Sequence, residues 1–208
     1  MATKWQMETK DVVVSSGNQC VTPYGRAVFV ELAEAKPYKN SPPKFSIVVA
    51  FDENVDLGPM KQMAKEACQE KWGGKIPKGL KSAFHDPDES DVAELAKSAQ
   101  WMRFSAKEDK RPALLGPDKA EIFDPSEIYP GCWVRVVCSC YAYDNVGKGF
   151  SFGLRAVQKL ADGKPIERGT HAADLLGIVS SDGVAPRSAP ATTARSYDDE
   201  ADGADLFD

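Results

Sequence analysis

The stretch DPSEIYPGCWVRVVCSCYAYDNVGKGFSFGLRAVQKLADGKP, residues 124–165, decides the fold, because it predicts two long β-strands joined by a tight turn. Successive side chains of a strand point to opposite faces of the sheet. From residue 132 onwards the even positions are small and apolar, which predicts a buried face, whereas the odd positions carry aromatic rings and an arginine. The residues DNVG at 144–147 return the chain into the second strand.

The outward face of this hairpin shares its chemistry with residues 100–107 (QWMRFSAK), which alternate in the same way. Rings interleaved with Arg and Lys on an exposed sheet face are typical of surfaces that stack nucleic-acid bases and contact phosphates. The candidate contacts are Trp101, Arg103, Lys107, Trp133, Arg135, Tyr141, Tyr143, Phe150 and Arg155. The alternative for any single ring is packing under a loop. Phe150 suits that alternative best, because it shares a face with Phe152 and Leu154.

The rest of the chain adds strands and one clear helix. Residues 44–51 (KFSIVVAF) give the cleanest strand pattern, and residues 26–32 (RAVFVEL) give another. Residues 58–72 predict a helix whose Met, Ala, Cys and Trp side chains form one apolar stripe suited to core packing. About five short strands, one intervening helix and no alternating βαβ pattern predict a mainly β, OB-fold-like small antiparallel barrel. A β-sandwich would show similar strands.

The charge of the 208-residue chain is unevenly distributed. The net charge is −5, but residues 196–208 hold six acids and no base, which leaves 25 acids against 26 bases in the remainder. Residues 180–195 are mostly Ser, Ala, Pro, Thr and Gly, which predicts a flexible linker. The predicted organisation is therefore an N-terminal extension (1–20) expected to be poorly ordered, a binding domain (21–179), the linker (180–195) and a disordered acidic tail (196–208).

The composition argues against several chemistries. Five cysteines, an odd number at spacings that match no common zinc pattern, predict core residues in a reducing compartment. His85 lies among acids at 86–91, but the proline at 87 and the density of acids favour an exposed loop over a metal site. Two histidines and no Walker or nucleophile-elbow motif leave no predicted catalytic residue, metal or cofactor. Without a leader or a long apolar run, the chain is expected to be cytoplasmic and to make no membrane contact.

The acidic tail predicts a second kind of contact. A flexible polyanion can compete with nucleic acid for a basic groove, and an apolar pair near its end can anchor in a partner's pocket. The candidate partner-binding residues are Asp198, Asp199, Glu200, Asp202, Asp205 and Phe207. The alternative is that the tail is only a solvated, disordered end.

Several pieces of the chain resemble a phage family of single-stranded-DNA-binding proteins akin to the replication protein of the T7-like phages. They are WGGKIP at 72–77, YPGC at 129–132, YAY at 141–143, GLRAVQKLADG at 153–163 and the acidic tail ending in Phe207-Asp208. The resemblance covers roughly residues 21–166 and the tail, and leaves the linker unmatched. It implies an OB-fold that coats single strands, and a tail that contacts the phage DNA polymerase and helicase–primase.

These observations together predict a non-catalytic protein that coats single-stranded DNA with little sequence preference in phage replication or recombination, in the host bacterial cytoplasm. Oligomeric state stays open, a homodimer being one option. Two alternatives belong to other classes. One is a metal-dependent nuclease using the acids around residues 85–91, and the other is a virion structural or adaptor protein whose exposed rings form a protein interface.

Overall fold

The computed structural model describes residues 3–15, 18–37, 41–145 and 147–166. Its α-helices and strands, in chain order, are α1 (Lys4–Glu8), β1 (Val13–Val14), β2 (Gln19–Val21), β3 (Gly25–Lys36), β4 (Lys44–Phe51), α2 (Gly58–Lys71), β5 (Phe84–His85), α3 (Ala93–Ala96), β6 (Gln100–Lys107), β7 (Ala113–Leu115), β8 (Trp133–Asn145) and β9 (Gly147–Ala161). Short 3₁₀ helices lie at Pro87–Glu89 and Pro125–Glu127. The predicted linker and acidic tail lie outside the described residues.

Five of these strands form a closed ring in the order β3, β4, β6, β9, β8 and back to β3. Neighbours are antiparallel except β6 and β9, which meet in parallel at one residue pair, Ser105 and Gly153. A five-stranded, largely antiparallel ring whose first strand pairs with both the second and the fourth is the arrangement of an OB-fold. The predicted mainly β, OB-fold-like architecture is confirmed, with α2 as the intervening helix between β4 and β6.

The interior of the ring is filled by the faces that the alternation predicts. The even positions up to residue 140 of β8, and the residue before the strand, are buried: Cys132, Val134, Val136, Cys138 and Cys140. β6 contributes Met102, Phe104 and Ala106, and seven of the eight residues of β4 are buried. α2 buries Met60, Met63, Ala64 and Cys68, so the core prediction for its apolar stripe is confirmed for these residues. It is wrong for Trp72, which is only partly buried and donates its indole N–H to Asp144.

A bulge in β9 changes which side chains of that strand face outwards. Val137 pairs with Ala156, but Cys138 pairs with Leu154, so Arg155 has no partner in the ladder. Leu154 is buried before the bulge and Val157 is buried after it. A bulge inserts one extra residue and re-aims its side chain, and Arg155 is accordingly exposed on the outer surface.

The N-terminal extension is more ordered than expected, which corrects the prediction for the described part of residues 1–20. α1 and β1 lie within it, and β2 begins at Gln19. β2 adds to the sheet beside β8, with Cys20 opposite Cys138 and their sulfur atoms 3.5 Å apart. The sequence of this segment does not predict the pairing, because its residues are mostly polar and do not alternate. The apolar environment of the short strand comes from its partner, β8.

Candidate nucleic-acid interface

A cleft of about 390 Å³ opens on the outer surface between the end of β6, the residues that follow it, and the β8–β9 hairpin. Its lining comprises Ser105, Ala106, Lys107, Lys110, Arg111, Ser139, Tyr141, Gly153, Leu154 and Arg155. Four of these side chains are cationic and none is acidic. We call this feature the cationic cleft.

The charges of the cationic cleft are held in place by the local structure. Lys107 ends β6, and a turn in which the backbone N–H of Lys110 donates to the carbonyl oxygen of Lys107 (2.9 Å) brings the next cations round to the same side. The guanidinium carbon of Arg111 lies 5.8 Å from the centre of the Phe45 ring, a cation–π distance. Arg155 stands on the β9 bulge. Among the described residues none of these four cations forms a salt bridge, so their charge is available to an anion.

Two tyrosines of β8 lie on the outer face of the hairpin, above small residues of β9. A Cβ atom added to Gly153 would lie 3.6 Å from the Tyr141 ring, and one added to Gly149 would lie 2.6 Å from the Tyr143 hydroxyl oxygen. Gly149 therefore leaves room for the Tyr143 ring to lie close to the sheet, whereas a side chain at 153 would make only an ordinary van der Waals contact with Tyr141. Tyr141 is 45% exposed and borders the cationic cleft directly. An exposed ring beside these cations offers stacking for a base and contacts for the adjoining phosphates.

Trp101 lies on the predicted outward face of β6 but already has a stacking partner. Its ring lies 4.0 Å from that of His85 with an interplanar angle of 13°, and its indole N–H donates to the carbonyl oxygen of Asp86 (3.0 Å). It also packs against a small second cluster in which Leu95 of α3 covers Val48 of β4. This cluster covers one end of the outer surface of β4, so the open part of the surface lies towards β6 and the hairpin. Arg103, next on the outward face of β6, is exposed there.

Three other predicted contacts do not line the cationic cleft. Trp133 packs with Trp5 (ring centroids 5.7 Å apart) and Tyr24 (5.8 Å), at the far end of β8 from the turn. The Nε of Arg135 donates to Gln158 (2.7 Å). Phe150 is half-buried against the core. The single platform predicted from alternation is thus divided, because a long strand on a curved sheet turns its two ends in different directions.

Sequence reasoning left two members of the cleft out of the candidate contacts. Lys110 and Arg111 follow β6 as a basic run and show no strand alternation. The turn after Lys107 brings them to the cleft that Arg155 also lines. The basic run is visible in the sequence, but its place beside Arg155 is not. The candidate partner-binding residues of the tail lie outside the described residues.

The acidic segment after β5 is occupied by local hydrogen bonds. His85 Nδ1 lies 2.8 Å from a carboxylate oxygen of Glu89, whose other oxygen accepts the backbone N–H of Asp86 (3.0 Å). The backbone bond and then the histidine bond lower the pKa of the Glu89 carboxyl. Within the described ranges, no group of three or more His, Cys, Asp or Glu side chains is placed to hold a metal ion. No helix in the described part of the chain is both long enough and apolar enough to cross a membrane.

The ring of strands and the groove on its outer surface define the class: an OB-fold, whose grooves bind oligonucleotides or oligosaccharides. Residues 18–183 match the family model described as the ssDNA-binding protein of Enterobacter phage Enc34. The chain belongs to this family.

Relatives of known sequence or structure are also phage proteins. The chain is 33% identical over 106 residues to protein p50 of Acyrthosiphon pisum secondary endosymbiont phage 1, an alignment that spans 48% of this chain and 58% of that relative. The single-stranded DNA-binding protein of bacteriophage Enc34 in complex with ssDNA superposes with a TM-score of 0.65 at 20% identity, covering 76% of this chain and 94% of that one. The single-stranded DNA binding protein gp2.5 of bacteriophage T7 gives 0.55 at 12%, covering 74% and 100%. At these identities the structural similarity shows a shared fold.

Proposed function

We propose that this chain binds single-stranded DNA with little sequence preference, without altering it chemically, during phage DNA replication or recombination. Membership of a family described by its ssDNA-binding protein gives the substrate class. The observation that carries the proposal for this chain is the cationic cleft, where four cations adjoin the exposed ring of Tyr141. Lys and Arg there follow the sugar–phosphate backbone while the ring stacks a base, a combination that reads no particular sequence.

The proposed contacts divide by distance from the cleft. Lys107, Tyr141 and Arg155 line it, and Tyr143 continues the same outer face of the hairpin. Arg103 adds a positive charge on the adjoining face of β6. The other predicted contacts mainly stabilise the structure around this surface, through the interactions described above: Trp101, Trp133, Arg135 and Phe150.

The salt dependence of binding tests the role of the cleft. For single strands, the slope of the logarithm of the binding constant against the logarithm of the salt concentration is about −0.7 for each phosphate contact. The Lys107→Gln/Arg155→Gln variant should therefore bind labelled oligo(dT) more weakly, with a slope shallower by roughly 1.4. The matched control is Lys65→Gln/Lys97→Gln, which removes the same charge from exposed positions outside the cleft. Equal losses in both variants would show attraction by overall charge and would refute the cleft as the binding site.

The tail is proposed to act on the same groove and on partners. Its acids compete with DNA for the cationic cleft when DNA is scarce, and Phe207 anchors in the phage DNA polymerase and helicase–primase. The candidate residues are Asp198, Asp199, Glu200, Asp202, Asp205 and Phe207. Deleting residues 197–208 should tighten binding to oligo(dT), most at low salt, and abolish stimulation of the polymerase. Unchanged affinity for oligo(dT) would refute the proposed competition with DNA. Unchanged stimulation of the polymerase would refute the proposed recruitment.

A further inference from the structure

A second cationic feature lies at the turn of the β8–β9 hairpin, away from the cationic cleft. Residues 71–81 (KWGGKIPKGLK), which begin at the last residue of α2, contain four lysines and no acid. Lys75, Lys78 and Lys81 are all exposed, and within the described residues none of them forms a salt bridge. We call residues 71–81 the lysine loop.

The lysine loop is fastened to the hairpin at both ends. At its start, the indole N–H of Trp72 donates to Asp144 (3.4 Å). At its end, the backbone N–H of Lys81 donates to the carbonyl oxygen of Lys148 (2.9 Å), and the Lys81 carbonyl accepts the N–H of Phe150 (3.2 Å). These three hydrogen bonds connect both ends of the loop to the turn of the hairpin, which places the loop beside that turn.

The aromatic residues of the hairpin connect the lysine loop to the cationic cleft. A Cβ at Gly149 would lie 2.6 Å both from the Tyr143 hydroxyl oxygen and from the carbonyl oxygen of Lys81, so Tyr143 adjoins the loop. Tyr141, two residues back along β8, borders the cleft. The two cationic features are separated along β9 by the seven steps from Lys148 to Arg155, about 23 Å at 3.3 Å per residue. Two tyrosines occupy the interval.

We infer that the lysine loop binds backbone phosphates of the same single strand after the strand has crossed Tyr141 and Tyr143. The inference rests on the proposed function, because it assigns a second contact region to the same ligand. The strand enters at one cationic region, stacks bases on the two rings, and is held at the other end by Lys75, Lys78 and Lys81. Lys148 contributes less, because its ammonium lies 3.4 Å from the Asp144 carboxylate.

Binding of oligo(dT) of graded length tests this assignment. The Lys75→Gln/Lys78→Gln/Lys81→Gln variant keeps the backbone bonds that fasten the loop. The probes are labelled oligo(dT) of about 4, 8 and 16 nucleotides, the range of site sizes for one OB-fold. The shortest probe should lose the least affinity in the variant, since it makes the fewest phosphate contacts beyond the cleft. The longest should bind several-fold more weakly, with a salt slope shallower by about 2, from three lost contacts at 0.7 each. The control is Lys65→Gln/Lys97→Gln/Lys119→Gln, which removes the same charge elsewhere.

The outcomes separate this inference from the proposed function. If the triple variant and its control lose equal affinity for the longest probe, or neither loses any, the lysine loop is not a contact region. The loop is also excluded if the variant weakens binding of all three lengths equally, because that pattern reports overall charge. In each case binding by the wild type and its loss in Lys107→Gln/Arg155→Gln would leave the proposed function standing. Absence of binding by the wild type at low salt would overturn both.

Discussion

Replacement of Tyr141 by alanine gives the sharpest measure of how the surface works. Base stacking on an aromatic side chain contributes about 1–3 kcal/mol. One side of the Tyr141 ring rests above Gly153 and 45% of the residue is exposed, so a base reaches one face of the ring. The lower part of the range, about 1–2 kcal/mol, is therefore expected, which corresponds to roughly 5–30-fold weaker binding. Because no charge is removed, the salt slope should stay unchanged.

Fluorescence anisotropy of labelled oligo(dT), at several salt concentrations, measures both quantities. Tyr141→Phe retains the ring and should bind within about twofold of the wild type. Phe123→Ala removes an exposed ring that is not part of the cationic cleft and should leave binding unchanged. A thermal unfolding curve for each variant confirms that the fold is intact. If Tyr141→Ala binds as tightly as the wild type, or if it mainly changes the salt slope, the ring does not stack a base.

Three further predictions concern stability. Phe152→Ala empties a fully buried site and should cost about 3–5 kcal/mol, lowering the melting temperature by roughly 6–20 °C, whereas Phe123→Ala, at an 86% exposed site, should shift it little. Gly131→Ala should destabilise the protein more than Gly73→Ala in urea titration. Both glycines have positive φ, but of the two only Gly131 has a backbone carbonyl where a Cβ would lie. Equal losses of unfolding free energy in the two variants would contradict this reasoning. Burial raises the pKa of Cys140 from 9.0 to about 12, so the folded state keeps a proton that the unfolded state loses, and stability should fall as pH rises from about 9 towards 12. In urea titrations over this range, Cys140→Ala should show a smaller fall in the unfolding midpoint than the wild type. An identical pH dependence of the two midpoints would refute the assignment.

Alternation along the strands was enough to predict the fold and the inward faces of β6 and the first part of β8, because successive side chains in a regular strand point to opposite sides. It was not enough to predict where outward residues meet. Trp133 and Tyr141 share a face of β8, yet one packs against Trp5 of the N-terminal helix and the other borders the cleft. That difference depends on a contact between residues 128 positions apart in sequence, which no local pattern encodes.

The bulge at Arg155 illustrates the same limit within one strand. Simple alternation places residues 155, 157 and 159 on one side of β9, whereas the structure exposes Arg155 and buries Val157. The extra residue depends on the pairing register with β8, which the sequence of β9 alone does not specify. The aromatic and basic residues around Arg155 in the sequence predict that it contacts phosphate. The bulge is the structural reason why its side chain reaches the outer surface.

The pairing of β3 with strands on both sides has a consequence for the way the chain is made. Gly25 hydrogen-bonds into the sheet beside Val134, so the third strand meets its second neighbour only after more than a hundred further residues have been synthesised. At about 5–20 residues per second, the apolar strand KFSIVVAF at 44–51 waits roughly 6–22 s on the ribosome before β9 is complete and the ring can close around it. Nascent chains stalled before residue 133 should therefore recruit host chaperones strongly, and chains released past residue 161 should not.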